Sequence, residues 1–212
     1  NILIGGGGDD TLDGGAGGTT DTARYAGAAS NYSFATDGAG NVVVTDSVGT
    51  DGNDTLKNID RVQFNNSGAA ANTYNLLTTA TGTTGRDLLV GSAADDTLTG
   101  GGQNDIIFGN GGDDSIVWNV GNGRDFVDGG SSSSTLDGGA AASAGDTFTI
   151  NGSAAAETFN IFASDQLTSL AATLATSFRP DTQIVITRTV GATTAIVAEL
   201  KSIEELVVNT TA

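Results

Sequence analysis

A nine-residue unit repeats end to end through the middle of the chain, and that period leaves room for few folds. From position 82 the units read GTTGRDLLV, GSAADDTLT, GGGQNDIIF and GNGGDDSIV. After Trp118 and Asn119 come VGNGRDFVD and GGSSSSTLD, and a stretched GGAAASAGDTFT closes the run at 149. The same unit stands at 5–13 as GGGGDDTLD. Each is a glycine-rich hexad with aspartate at position six, followed by three residues with an apolar one at position eight. Glycine takes positive φ without steric penalty, so such a hexad turns tightly with its carbonyls directed at one point. The position-eight residues Leu12, Leu89, Leu98, Ile107, Ile116, Val127, Leu136 and Phe148 are the expected inward-facing core. A short fixed period means stacked rungs that contact only their neighbours. The expected fold class is all-β, a parallel β-roll with β-rich caps and one short helix.

Seven units in series resemble the nonapeptide calcium-binding repeat of secreted RTX (haemolysin-type) proteins. The resemblance implies a flattened coil with two units per turn, in which loops of units i and i+2 stack. It further implies several Ca²⁺ ions between stacked loops, held by position-six aspartates and loop carbonyls. The candidate carboxylate ligands are Asp10, Asp21, Asp87, Asp96, Asp105, Asp114, Asp125 and Asp146. The candidate main-chain carbonyls are those of Gly5, Gly7, Gly14, Ala16, Gly82, Thr84, Gly91, Ala93, Gly100, Gly102, Gly109 and Gly111. Stacking sorts the aspartates of 82–149 into two columns. One is expected to hold Asp87, Asp105, Asp125 and Asp146; the other holds Asp96 and Asp114 and then meets Ser134, where calcium should thin out. Asp9, Asp95 and Asp113, at position five, are expected to face solvent. GTDGNDTLK at 49–57 fits the unit too, so Asp51 and Asp54 are either ligands of a calcium outside the rolls or turn-formers.

The formal charge of −17 rests on aspartate, with only four glutamates, which suits oxygen ligation of a hard cation. It argues against nucleic acid, whose binding needs a basic footprint. Cysteine, methionine and histidine are absent, which removes disulfides, ordinary zinc sites and histidine-based acid–base chemistry. GGGGDD lacks the lysine of a phosphate loop. No apolar run reaches 18 residues, so no membrane span is expected. Asn1-Ile2-Leu3-Ile4 reads as positions six to nine of a unit whose loop is missing, the expectation being a segment of a longer protein.

Taken in order, the chain divides into a truncated roll (1–23), a β-rich cap (24–65), a connector (66–81), a long roll (82–149) and a second cap with a helix (150–212). In the second cap, 164–178 has Leu167, Leu170 and Leu174 on one helical face and Pro180 just beyond. The two halves are also related to each other. VVVTDSVG (42–49) matches IVITRTVG (184–191), and LKNIDRVQFN (56–65) matches LKSIEELVVN (200–209). Asp60 and Glu204 fall at matching positions there, where a structural ion pair or a solvated face is expected. Trp118 is expected to pack under a cap.

Ordering nine residues costs on the order of 9 kcal/mol in backbone entropy. One buried aliphatic side chain returns only about 1.5–3 kcal/mol, and each hydrogen bond about 1. A cation that binds only the folded state adds about 2.7 kcal/mol per site at a hundredfold excess over its dissociation constant. The expected behaviour is folding on calcium at an extracellular level of roughly 10⁻⁴–10⁻³ M. Export by a type I system follows from the resemblance alone. The expected function is a non-enzymatic, calcium-binding segment of a large secreted or cell-surface protein of adhesin or surface-layer type, with possible self-association into a lattice. The alternative is an accessory module of an extracellular hydrolase, lipase or epimerase.

Overall fold

Among the described residues each hexad is followed by a short strand, because the three residues after the aspartate alternate outward, inward, outward with period two. A computed structural model of the chain describes residues 1–18, 20–65, 72–131 and 145–210. In the first part lie β1 (Ile2–Leu3), β2 (Thr11–Asp13), β3 (Thr22–Arg24), β4 (Tyr32–Thr36), β5 (Val42–Asp46), β6 (Asn53–Lys57) and β7 (Arg61–Gln63). Then come β8 (Thr73–Leu77), β9 (Asp87–Val90), β10 (Thr97–Leu98), β11 (Ile106–Gly111), β12 (Ser115–Asn119), β13 (Asp125–Ser131) and β14 (Thr147–Asn151). The chain ends with β15 (Glu157–Ala163), α1 (Leu167–Leu174), β16 (Ile184–Val190), β17 (Thr193–Lys201) and β18 (Glu205–Asn209).

Successive rungs alternate between walls. One wall is a ten-stranded sheet in the order β1-β3-β7-β8-β9-β11-β13-β17-β16-β15. Two four-stranded sheets face it, β2-β6-β5-β4 and β10-β12-β14-β18. Within each roll the rungs pair in parallel, as in Ile107 with Leu89 and Val127, or Ile116 with Leu98 and Phe148. The all-β, parallel-roll expectation holds.

The boundaries differ from the sequence reading in two places. β6 and β7, placed in the first cap, are rungs of the first roll: Leu12 pairs with Leu56 and Ala23 with Val62, both in parallel. The connector carries β8, which pairs antiparallel with β7 and parallel with β9. That single reversal sets the second roll on the opposite face of the long sheet. Val62 opposes Tyr74, and two residues on Leu76 opposes Leu88, so these four share a face. Leu89, the inward residue of the second roll, shares the other face with Leu77.

Two cores result. On one face Leu12, Ala23, Phe34, Val44, Leu56, Val62 and Phe64 pack together with Leu88, Val90, Ile106, Phe108 and Phe126. The hairpin of β4 and β5 thus extends over the second roll, with the Phe34 and Phe108 rings 5.6 Å apart. On the other face Leu89, Leu98, Ile107, Ile116, Trp118, Val127, Phe148 and Ile150 form the interior of the second roll, closed by Ile186, Val197 and Leu200. Every expected position-eight core residue among the described residues is buried; Leu136 lies outside them. Trp118 is buried as expected, its indole N–H donating to the Gly123 carbonyl at 3.1 Å. The helix is shorter than 164–178. A single 3₁₀ turn (Ser164–Gln166) leads into α1, and Ala175 at φ 48° ends it in the left-handed region. Gln166 fixes its start by accepting the Ala163 N–H at 3.1 Å.

Candidate metal centre

The position-six aspartates form ladders along both walls. Each backbone N–H donates to a carboxylate oxygen of the corresponding residue one turn further on. Asp87 donates to Asp105 Oδ1 and Asp105 to Asp125 Oδ1, both at 2.9 Å. On the other wall Asp96 donates to Asp114 Oδ1 and Asp114 to Asp146 Oδ1, both at 2.8 Å. The expected columns are therefore corrected: Asp146 follows Asp114, not Asp125. The reason is that Gly129 and Asp146 come together as positions one and six of a single turn, with 132–144 between them in sequence. The strand after Asp146 then takes the register beside β12. Ser134, on which thinning of the column rested, lies outside the described residues.

The ladders end at two residues that the sequence reading assigned otherwise. Asp146 N–H donates to Glu204 Oε2 at 2.7 Å, and Asp21 N–H donates to Asp60 Oδ2 at 2.8 Å. Each terminator also sends two backbone N–H groups to the carbonyl below it: Asp60 and Arg61 to Asp21, Glu204 and Glu205 to Asp146. Asn58 and Ser202 make the preceding turns at φ 52° and 51°. Asp60 is exposed, as a solvated face would have it, and Glu204 is half-buried; neither forms an ion pair among the described residues, and both cap the stacks. Their common register in the two related decapeptides was the signal in the sequence.

Asp54 takes a position-six place inside the first roll, accepting the Asp10 N–H at 2.9 Å, and is buried. It does not belong to a site outside the rolls. Asp51 accepts the Tyr32 hydroxyl at 2.7 Å. Asp9 and Asp95 are exposed, as expected, yet each still accepts a rung-to-rung bond, from the N–H of Asn53 at 2.8 Å and of Asp113 at 2.9 Å. Asp113 itself is only half-exposed.

The second carboxylate oxygen bends back over position one of its own loop. At Gly82, Gly109 and Gly129 an added Cβ would lie closer than 3.0 Å both to that oxygen and to a backbone carbonyl of the next turn. The pairs are Asp87 Oδ2 with the Gly100 carbonyl, Asp114 Oδ2 with that of Gly129, and Asp146 Oδ2 with that of Ser202. Gly91 repeats the arrangement with the Gly109 carbonyl and Asp96 Oδ2. Position one must be glycine because two oxygens from different turns occupy the space of its missing side chain. Oδ2 of Asp10, Asp105, Asp114 and Asp146 is buried and has no hydrogen-bond partner. In Asp87 and Asp96 the same oxygen is held by the position-two residue, Thr83 or Ser92, through its N–H and hydroxyl.

Of the expected carbonyl ligands, those of Gly100 and Gly109 face these cradles. Thr84 O accepts Gln103 Nε2 at 3.2 Å, and Gly91 O accepts Asn110 Nδ2 at 3.0 Å. Those two already have protein donors. Gly102 and Gly111 stack their loops by donating N–H to the carbonyls of Thr83 and Ser92. No group of three or more acidic side chains converges among the described residues. Carboxylate and main-chain oxygens together make a donor set of the kind that Ca²⁺ takes.

Burial without a cation raises the carboxyl pKa values. Asp105 is pushed up to about 8, first by burial and then by the Asp125 carboxylate. Asp125 rises to about 7 through burial, against the opposing pull of the Asp105 amide. Asp114 and Asp146 rise to about 6, again chiefly through burial, with Asp146 and Glu204 respectively among the repelling neighbours.

The model of the RTX calcium-binding nonapeptide repeat matches four copies, in residues 1–20, 81–116 and 119–142. No curated protein sequence matches the chain. Among solved structures, extracellular lipase LipA from Serratia marcescens aligns at 17% identity with a TM-score of 0.28. The alignment covers 96% of this chain and 36% of the lipase, so the chain spans about a third of that protein's length. The repeat match takes in Asp10, Asp87, Asp96, Asp105, Asp114 and Asp125 of the stacked ladders: the chain carries RTX calcium-binding nonapeptide repeats in both of its rolls.

Proposed function

We propose that the chain is a calcium-held structural segment of a secreted or cell-surface protein, folding where calcium is plentiful and unfolded where it is scarce. The observation that carries this reading is the set of buried, unpartnered Oδ2 atoms on Asp10, Asp105, Asp114 and Asp146. An ionised carboxylate in that position needs a counter-charge. Calcium bound there supplies the positive charge that neutralises the ladder. Asp114 and Asp146 would hold it together with the carbonyls of Gly129 and Ser202 that face them, and Asp10 and Asp105 would add their own unpartnered oxygens. The ladder bonds orient each carboxylate, and the glycine at position one leaves it room.

The segment contributes shape and rigidity, and the reading assigns it no catalysis. A sulphur-free composition rich in glycine, alanine and threonine supports an adhesin or surface-layer setting. Circular dichroism in calcium and in chelator tests the central claim, and an unchanged β spectrum in chelator overturns it. Light scattering with added calcium tests the lattice. A strictly monomeric chain removes self-association while leaving calcium-driven folding intact.

A further inference from the structure

The second roll covers only half of one face of the ten-stranded sheet. On the uncovered half, outward residues of β3, β7 and β8 make two rows across the strands, Thr22–Arg61–Asn75 and Arg24–Gln63–Thr73. Loop residues Gly85, Arg86 and Gln103 of the second roll wall this surface, making an open groove of about 560 Å³. That volume lies within the ~300–1,000 Å³ of small-ligand sites.

Two of the chain's six arginines, Arg24 and Arg61, present their side chains on this face, in a protein of charge −17. Arg124, Arg179 and Arg188, elsewhere, each pair with a carboxylate. Arg24 and Arg61 form no ion pair among the described residues, although 25 acidic residues are available in the chain. Arg24 is held in place by neutral groups. Arg24 Nε donates to Gln63 Oε1 at 2.6 Å, and Gln63 Nε2 donates to Thr73 Oγ1 at 2.9 Å. Arg86, which borders the groove, turns its guanidinium to the opposite face, over the Tyr74 ring at 4.7 Å. Orientation by neutral partners leaves the guanidinium charge unspent and lowers the ordering cost of binding.

The geometry points to an oxyanion-bearing saccharide as the ligand of this groove. Guanidinium forks match a carboxylate or sulfate in bidentate fashion. The Thr22 hydroxyl and the amide oxygens of Asn75 and Gln103, whose nitrogens donate to Asp87 and Thr84, stand beside them to pair with sugar hydroxyls. Asn75 joins the groove to the end of one ladder by donating to Asp87 Oδ1 at 2.6 Å, and the groove is probed with calcium saturating, so its failure and that of calcium-driven folding are distinguishable.

Titration calorimetry of the calcium-saturated protein with digalacturonate, a sulfated disaccharide and a neutral disaccharide tests it. The two acidic sugars separate a carboxylate ligand from a sulfate one. At least one should bind, weakening with added salt, and the neutral sugar should bind at least tenfold more weakly. Arg61→Gln and Arg24→Gln should each weaken binding about tenfold, the worth of one lost charged hydrogen-bonding group. Arg188→Gln, remote from the groove, should not. Circular dichroism in calcium verifies that each variant is folded. No binding by the parent protein at millimolar sugar, or equal binding by Arg61→Gln, overturns the proposal. Self-association that Arg61→Gln abolishes, without sugar binding, also overturns it and assigns the groove to an acidic edge of a second copy.

Discussion

At Gly109 a single missing methyl group decides whether two turns of the coil can meet. An added Cβ would press on the Gly129 carbonyl and on Asp114 Oδ2, and neither can retreat without breaking the ladder. Gly109→Ala should cost about 1–3 kcal/mol, as overpacking does, and raise the calcium midpoint of folding in a dichroism titration. Gly38→Ala, where nothing lies within 4 Å, should leave that midpoint unchanged. The carboxylates make a second residue-level prediction. Raised folded-state values for Asp105, Asp125, Asp114 and Asp146 mean that the metal-free fold is favoured while these groups are protonated. That contribution is complete below the unfolded value of about 3.9 and is lost as pH rises through the folded values. Those values span about 6 to about 8. Protein in chelator should therefore show more β structure at pH 5 than at pH 8. Calcium should bind more weakly at pH 5, because protons compete for the same oxygens.

The strands are legible wherever the nine-residue period is unbroken, since position eight alone marks the inward face. What the period does not carry is how a stack ends. Asp60 and Glu204 sit in sequences with no glycine hexad, and only their backbone geometry makes them acceptors for the last rung. Glu204→Ala should remove a charge-assisted bond worth about 1.5–3 kcal/mol. Amide exchange at Asp146 should accelerate, and a rate unchanged from the parent protein would mean that the cap is not energetically coupled to the ladder. The column assignment failed for a related reason. Counting in nines from Gly129 gives Ser134 as the partner of that glycine, whereas the carboxylate that lies over Gly129 is that of Asp146.

For the whole molecule, one strand matters more than its neighbours. β8 lies in a stretch with no repeat signature, so the sequence offered a connector where the structure has a shared wall. A signal was present all the same: LLV, IIF and FVD carry apolar residues at positions seven and eight, whereas TLT and SIV begin with a polar one. The first set lines the long sheet, which has core on both faces in the second roll. Because one core joins Leu12 and Val62 to Ile106 and Phe126, calorimetry in saturating calcium should show a single unfolding transition. Two separated transitions would contradict that coupling. The alternation of rungs between walls also constrains how such a chain can change length over evolutionary time. Removing one unit would send every later strand to the opposite wall and exchange apolar for polar residues at positions seven. Removing two would shorten the coil by one full turn and leave each remaining contact in kind. Gain and loss of repeats in this architecture should proceed in pairs.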